Sequence, residues 1–412
     1  MRFAFAMRGI TPATPTELSG FASRAGLATG TLDPLTARLL LVEVGERRVA
    51  ILALDLIGVP EDFRIRLAPQ LPGDIDLVPC ATHTHAGPPV LARSMLGHAD
   101  AAYVDSLVAT TLDLLQEASA ALRPGRISPI KVPVPGIAHN RRLDDGPVDH
   151  NADAVAFCME NGTLGALWVN FACHPVVLGP DNLRYSADFP GAARSRLEEL
   201  LSAPVLYTTG CCGQINTGHK TMDSIRQSGM SRRTPAEAER IGTLLADTVA
   251  PALRGLKGQP VETLAYGETT RAAAFASVET SQRVRVAHEA SQVLSNPAAS
   301  FGEKAMAQID RDWLARAHAG TELTVGALRL GDFTAFFLPG EIFVDQALAL
   351  QAAVPGALVV GYAYTNPGYI PPLTAIPDGG YEVDIAWRPY GTPGPFAPGT
   401  AEALAEAALA LL

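Results

Sequence analysis

Ile75-Asp76-Leu77-Val78-Pro79-Cys80-Ala81-Thr82-His83-Thr84-His85-Ala86-Gly87-Pro88 carries a short apolar run directly into two histidines and a Gly-Pro stop. A run of this length bounded by turn residues predicts a buried strand over 75–80. Side chains at i and i+2 of an extended segment share a face, so His83 and His85 are expected side by side where a strand opens into a loop. Two imidazoles on rigid backbone at a loop mouth suit a metal ion or an acid/base pair. Histidines also serve as ordinary polar groups at strand ends, and the pair alone leaves both readings open.

Working outward, the apolar runs 36–44 and 47–56 flank Gly45-Glu46 and predict a β-hairpin. A short helix is expected over 60–70, and a longer one over 101–122, with Asp113 and Glu117 towards solvent and Arg123 at its end. Residues 153–159 and 164–172 flank Asn161-Gly162, a strong hairpin signal, and the second strand ends at Phe171-Ala172-Cys173-His174-Pro175. A helix over 188–201 precedes a short buried strand, 205–209, and the turn Gly210-Cys211-Cys212-Gly213. Thr234-Pro235 opens an amphipathic helix to about 254, with proline at its first position. Further on the pattern predicts an extended segment over 261–275, a helix over 303–319, and strands at 323–329 and 332–338. A helix to about 353, a strand over 357–362 and a closing helix over 400–411 complete the reading. Helices alternating with hairpins and parallel-capable strands indicate an α/β fold, a mixed sheet with β-hairpins and flanking helices. With no repeat or linker in view, a single large catalytic domain over 1–412 is expected.

The 412 residues, 48% hydrophobic and 18% charged, are those of a globular chain able to bury a sizeable core. A net charge of -10 argues against a nucleic-acid partner, which calls for a basic face. Five cysteines form no paired framework, as expected of reduced, buried thiols. No apolar stretch is long enough to span a bilayer, so no stable membrane insertion is expected. The stretch Met1 to Arg8 is too short in apolar residues for a signal peptide, and a cytoplasmic location is the expectation.

Strand ends or strand-to-loop junctions carry His83/His85, His174, Glu341 and Tyr369, each just past a buried run or beside Gly or Pro. Each can point into one cleft at a sheet edge. Two imidazoles, a carboxylate and one more oxygen make a reasonable shell for Zn²⁺ with an open position for water. Singly they admit plainer roles: a strand-end imidazole on backbone for His174, a helix N-terminal carboxylate for Glu341, a half-buried aromatic for Tyr369.

Taken together, Thr82-His83-Thr84-His85-Ala86-Gly87-Pro88, Asn140-Arg141, Asn170-Phe171-Ala172-Cys173-His174-Pro175, Pro339-Gly340-Glu341 and Gly368-Tyr369-Ile370 resemble the neutral/alkaline non-lysosomal ceramidase family, in that family's order. Ile10-Thr11-Pro12, Leu18-Ser19-Gly20-Phe21, Asp33-Pro34-Leu35 and Leu54-Asp55 are similar to the start of its catalytic domain. The resemblance implies a zinc-dependent amide hydrolase with His83, His174, Glu341 and Tyr369 as metal ligands. It implies a supporting or substrate-contacting role, with proton handling, for His85. Arg141 would bind the substrate's polar head or the developing oxyanion, and Tyr381, followed by Glu382, would stabilise the tetrahedral intermediate.

Departures from the family's pattern shape the expectation. Gly213-Gln214-Ile215-Asn216-Thr217-Gly218 stands where the family carries Gly-Asp-Val-Ser-Pro-Asn, so Asn216 replaces a proposed nucleophilic serine. Attack by metal-activated water is then expected, with Asn216 orienting substrate or water. The family's secretion or membrane association and its C-terminal β-sandwich domain are not expected here. The expected substrate is a small or medium N-acyl compound, an N-acyl amine or N-acyl amino acid derivative. A zinc esterase or lactonase on the same scaffold, or a non-catalytic metal-binding relative, is the alternative.

Other segments admit two readings each. Cys211 and Cys212 are expected to be close-packing residues in a tight turn. Asp188 reads as a helix N-cap or as a partner behind the ligands. Residues 219–233 read as a lid or a surface loop, and Trp387, Arg388 and Tyr390 as an entrance lining or as packing.

Overall fold

In the computed structural model, which describes residues 1–91, 97–226, 230–316 and 320–412, the strand read over 75–80 is Ile75–Ala81. It lies at one edge of an eight-stranded sheet. In chain order the strands are β1 (Arg2–Gly9), β2 (Thr36–Val44), β3 (Arg47–Leu54), β4 (Ile75–Ala81), β5 (Arg123–Pro133), β6 (Asn151–Met159), β7 (Leu164–Phe171) and β8 (Val205–Thr209). Across the sheet they run β8-β7-β6-β5-β1-β2-β3-β4. The outer pairs β3/β4 and β7/β8 are parallel, and every pairing between them is antiparallel. A second sheet has the order β9 (Leu264–Ala272), β10 (Glu322–Leu330), β11 (Phe333–Phe337), β12 (Leu358–Val360), and β11/β12 is again a parallel pair.

The two sheets pack face to face. Val42, Ile51, Val78 and Trp168 of the first share one core with Leu328, Phe333 and Val360 of the second, and Trp168 stacks on Phe337 with ring centres 6.1 Å apart. Helices cover the outer faces. α1 (Ala101–Ala120) covers β1–β4. α2 (Asp188–Leu201) and α3 (Pro235–Val249) cover β5–β8. After the helical pair α4 (Thr280–Ser295) and α5 (Phe301–Ala315), α6 (Val344–Ala353) and α7 (Thr400–Leu409) cover the second sheet. This layering explains the unbroken apolar run in β2: Leu39 and Leu41 face the helices while Leu40 and Val42 face the second sheet. The mixed α/β fold with hairpins and flanking helices is therefore as read.

Several local readings change. The helix expected over 60–70 shrinks to Phe63–Leu67. The chain from Arg123 is not a helix end but β5, masked in the sequence by Pro124, Pro129 and Pro133. Pro129 is tolerated because β5 pairs with β6 along its length but on its other side only with β1 at its first two residues and through an isolated bridge between Ile127 and Gln259, which leaves Pro129 outside any ladder on that side. The helix expected over 303–319 is Phe301–Ala315, and residues 317–319 lie outside the described residues. β1 and α4 carry no alternation or run strong enough to predict. Asp188 begins α2 with φ 58°, but its carboxylate accepts the amides of Leu178 (2.8 Å) and Phe189 (2.6 Å). It clasps the loop after His174 rather than capping the helix in the usual way.

The parallel strands determine where the site forms. β4, β7, β8, β11 and β12 all end at one rim. There residues 361–364 are stitched between the two sheets: Gly361 N–H donates to Thr209 O (2.9 Å), Ala81 N–H to Tyr362 O (3.1 Å), and Tyr364 N–H to Pro79 O (2.8 Å).

Candidate metal centre and active site

Three of the strand ends at this rim deliver the polar side chains. The turn after β4 delivers His83 and His85, the turn after β7 delivers His174, and Gly340 (φ +67°) turns the chain after β11 so that Glu341 faces inward. Glu341 pairs in register with Tyr369 in a short parallel ladder, Glu341–Ile342 with Tyr369–Ile370. Donor atoms of His83, His174 and Glu341 all lie within 4.8 Å of one another, and all three residues are buried.

The expected i, i+2 extended geometry is corrected here. β4 ends at Ala81, and His83 sits at φ +66°, a left-handed conformation that a non-glycine residue adopts at a cost of roughly 1–3 kcal/mol. His83 N–H donates to Leu56 O (2.9 Å), and its ring stacks on Tyr362 with centres 4.2 Å apart. The two imidazoles still meet, with His83 Nε2 and His85 Nε2 3.2 Å apart, but across a turn rather than along a strand face.

The hydrogen bonds decide the tautomers. His83 Nδ1 donates to Ile57 O (2.7 Å), and His174 Nδ1 donates to Cys212 O (2.6 Å) and Ile215 O (3.0 Å). A carbonyl only accepts, so both protons sit on Nδ1 and both Nε2 lone pairs turn inward. They face Glu341 Oε2, at 3.4 Å from His83 and 2.9 Å from His174. Three acceptor atoms thus converge in a buried space, an arrangement that repels itself unless a cation lies between them. Two imidazole nitrogens and a carboxylate oxygen suit Zn²⁺. The residues fit the ion.

Electrostatics agree. Burial, then Arg141, push His174 down to about 4, so its ring is neutral at neutral pH. Burial pushes the Glu341 carboxyl up, but positive charge on the His83/His174 side outweighs it and holds the group well below the usual carboxylate range, which a cation between them would do equally. Burial, reinforced by His83 and His174, holds His85 well below the usual imidazole range.

Around this centre the structure gathers the other residues expected at the site. Arg141, docked by the pairing of His139–Asn140 with Ile215–Asn216, donates to Glu382 (2.8 Å), Gly213 O (3.0 Å) and the Tyr369 hydroxyl (2.9 Å). Tyr381 stands edge-on to Tyr369 with centres 5.9 Å apart, at the start of a single π-helical turn, Tyr381–Ile385. Burial raises the phenol pKa of both tyrosines. A cavity of about 50 Å³ is bounded by Phe21, His85, Arg141, His219, Tyr369 and Tyr381 among others. Gly20 (φ +102°) is required behind it, since a Cβ there would run into the His85 ring.

Asn216 is placed differently from its neighbours. Its carboxamide holds its own turn, donating to His219 O (2.7 Å) and accepting from Gly218 N–H (2.8 Å) and His219 N–H (3.3 Å). The immediate product of that turn is the placement of His219 at the cavity. His219 and Thr221 line it, while residues 227–229 of the segment read as a lid lie outside the described residues.

The entrance reading of 387–390 divides. Tyr390 lines the cavity and donates to Glu341 Oε1. Trp387 packs edge-on against Trp313 (4.8 Å) and Arg388 pairs with Asp310 (3.0 Å), so these two are packing residues. Cys211 and Cys212 are fully buried, and the Cys212 thiol lies 3.2 Å from the Tyr362 hydroxyl, as close packing requires. Tyr362 was invisible in the sequence: it reads as the end of a buried strand, and only its φ of 55° and its stack on His83 give it away.

No family model and no curated protein matches the chain. Among solved structures it is similar to neutral ceramidase from Pseudomonas aeruginosa, with a TM-score of 0.73 at 17% identity over 98% of this chain and 72% of that one. It is similarly close to a ceramidase complexed with C2, at TM-score 0.72 and 17% identity, over 98% of this chain and 73% of the other. The fold is that of these ceramidase structures.

Proposed function

We propose that this chain, built on the neutral-ceramidase fold, is a zinc-dependent hydrolase of amide bonds in small or medium N-acyl compounds. The observation that carries the reading is the convergence of His83 Nε2, His174 Nε2 and Glu341 Oε2 in one buried space, with both imidazoles turned so that Nδ1 donates to backbone carbonyls. The hydroxyl oxygen of Tyr369, whose backbone pairs in register with Glu341, is the fourth ligand in this reading. When bound, Zn²⁺ would lower the pKa of a water and polarise the substrate carbonyl.

The chain's own groups do the rest. The Arg141 guanidinium and the Tyr381 phenol donate to the oxygen on which charge develops, and donors set in advance stabilise that charge most where water is excluded. His85, neutral and with its Nε2 3.2 Å from that of His83, handles the proton that passes from the attacking water to the leaving nitrogen. Glu382 orients Arg141, while Asn216, tied into its own turn, shapes the wall rather than reacting. Residues 1–412 act as one catalytic unit in this reading. All five cysteines are free and buried, which suits a reducing, cytoplasmic setting; among the described residues no helix is long and apolar enough to cross a membrane.

The test is metal content by plasma mass spectrometry on purified protein and on the His83→Ala/His174→Ala variant, followed by matched amide and ester substrates. Near-stoichiometric zinc, lost in the variant, with amides cleaved, is the expected result. Protein that takes up no zinc on reconstitution defeats the reading, and cleavage of esters alone replaces amide by ester hydrolysis.

A further inference from the structure

The chain carries a net charge of -10, yet its cavity is bounded by one arginine and no aspartate or glutamate among the described residues. Behind that wall lie more arginines. Phe21 has two guanidiniums over its ring, Arg24 at 4.8 Å and Arg233 at 5.2 Å from the ring centre, and its ring is tilted against His85 at 4.9 Å. Arg24 is buried and donates to the carbonyls of Ser19 (2.8 Å), His85 (2.6 Å) and Gly179 (3.1 Å). Among the described residues no carboxylate pairs with it, and its Nε has no partner. Arg233 donates to Val176 O (2.9 Å), beside the loop of His174. On the opposite wall Arg141 and Arg142 share the single carboxylate of Glu382, at 2.8 and 2.9 Å.

Of the acidic groups that act on this cluster, Glu382 sits between Arg141 and Arg142, 3.4 Å from the Thr221 hydroxyl at the cavity, and the others lie on the Arg24/Arg233 side. Asp181 is exposed, Asp188 is occupied by backbone amides, and Asp223 lies on the short helix Thr221–Arg226. Burial and mutual repulsion lower Arg24 to about 9, and burial lowers Arg233 to about 10 with Asp188, Asp181 and Asp223 opposing. Both remain charged at neutral pH. Four guanidiniums against the carboxylates of Glu341 and Glu382 leave the surroundings of the cleft net positive, and a low-dielectric cleft of one net sign concentrates ligands of the other.

From this we infer that the substrate is an anion, an amide bearing a carboxylate that lies towards Phe21 between the Arg24/Arg233 and Arg141/Arg142 walls. The inference rests on the hydrolase reading for the reaction but not for the binding. Charge could sit on either side of the scissile bond. N-acetylglycine against N-acetylglycinamide tests the amine side, and N-methylsuccinamic acid against N,N′-dimethylsuccinamide tests the acyl side.

Calorimetric binding of these four probes to the purified, metal-loaded protein is the experiment. One carboxylate is expected to bind on the order of tenfold more tightly than its neutral partner. Arg233→Gln should remove most of that preference and Arg233→Lys should retain it. Thr221→Asp, which adds a negative charge at the cavity, should also remove it, and it provides the test if Arg233→Gln fails to fold. Equal binding of charged and neutral probes in both pairs overturns the inference. A preference indifferent to all three variants also overturns it, because the carboxylate would then be held by the metal alone. Carboxylates that bind with the expected pattern but are not cleaved leave the inference standing and defeat the hydrolase reading.

Discussion

Two buried ionic clusters stand close together in this molecule and are built on opposite principles. Asp55, completing the β2–β3 hairpin, receives both arms of Arg194 at 2.6 and 2.7 Å, the amide and hydroxyl of Thr36 at 2.8 Å each, and the hydroxyl of Thr82 at 3.2 Å. Every acceptor on that carboxylate meets a donor. Glu341, a short distance along the same rim, meets two imidazole nitrogens whose protons point elsewhere. The first cluster is closed, and the second is complete only with a cation. The difference teaches that burial of charge does not mark a functional site, whereas burial of mismatched acceptors does.

The largest effect should come from removing the imidazoles. His83→Ala/His174→Ala is expected to abolish zinc binding and cut turnover by about 10³-fold or more, with the fold retained in far-ultraviolet circular dichroism. Turnover without metal would erase the distinction between the clusters.

The closed cluster should fail differently. Asp55→Ala leaves a buried, unpaired guanidinium and should cost about 3–5 kcal/mol in denaturant unfolding, whereas Asp55→Leu/Arg194→Met should recover most of that stability. No such apolar exchange should restore function at His83 or Glu341. An Asp55→Leu/Arg194→Met protein no more stable than Asp55→Ala would show that the pair positions the Thr82-His83 turn, and the two clusters would then be one.

Tyr381→Phe probes the donors around the open cluster. Turnover should fall by about 10²-fold with zinc content and melting temperature unchanged. Unchanged turnover removes Tyr381 from the chemistry.

The smallest effect concerns pH. His174 is held down to about 4 and His219 to about 2, by burial first and by arginines second, against an ordinary value of 6.5. Below 6.5 the unfolded chain binds protons that the folded chain refuses, so stability falls as pH drops. The loss continues to about 4 for His174 and to about 2 for His219. Each group adds a slope of about 1.4 kcal/mol per pH unit. His219→Gln should lower the acid-side slope by one proton in urea unfolding across pH 6 to 4.5, while turnover without metal stays absent. An unchanged slope would mean that His219 is solvated in the folded protein.

Legibility of the sequence followed the range of the interaction. The hairpin around Gly45, the strand into Thr82-His83, helix 188–201 and the Thr234-Pro235 helix start are local matters of periodicity and turn chemistry, and they appear where expected. β5 was hidden because a proline-bearing strand is acceptable only when one side lacks a partner, a fact about neighbours rather than about residues 123–133. The candidate ligand triad was legible as a set of strand ends, and the tautomers that would suit it to a cation were not. Those depend on Ile57, Cys212 and Ile215 carbonyls, which no spacing relates to His83 or His174.

By itself, then, the sequence determined the strand ends, the residue types delivered there and the alternation that makes two-sided strands, because these follow from backbone geometry and side-chain chemistry. Only the tertiary structure decided that five of those ends share one rim. It alone turned His83 to a positive φ, set Tyr362 against it and placed one guanidinium on a cavity wall with three more behind the lining of an acidic protein. The physical reason is that these outcomes depend on contacts between residues hundreds of positions apart, and such contacts exist only once the two sheets have closed on each other.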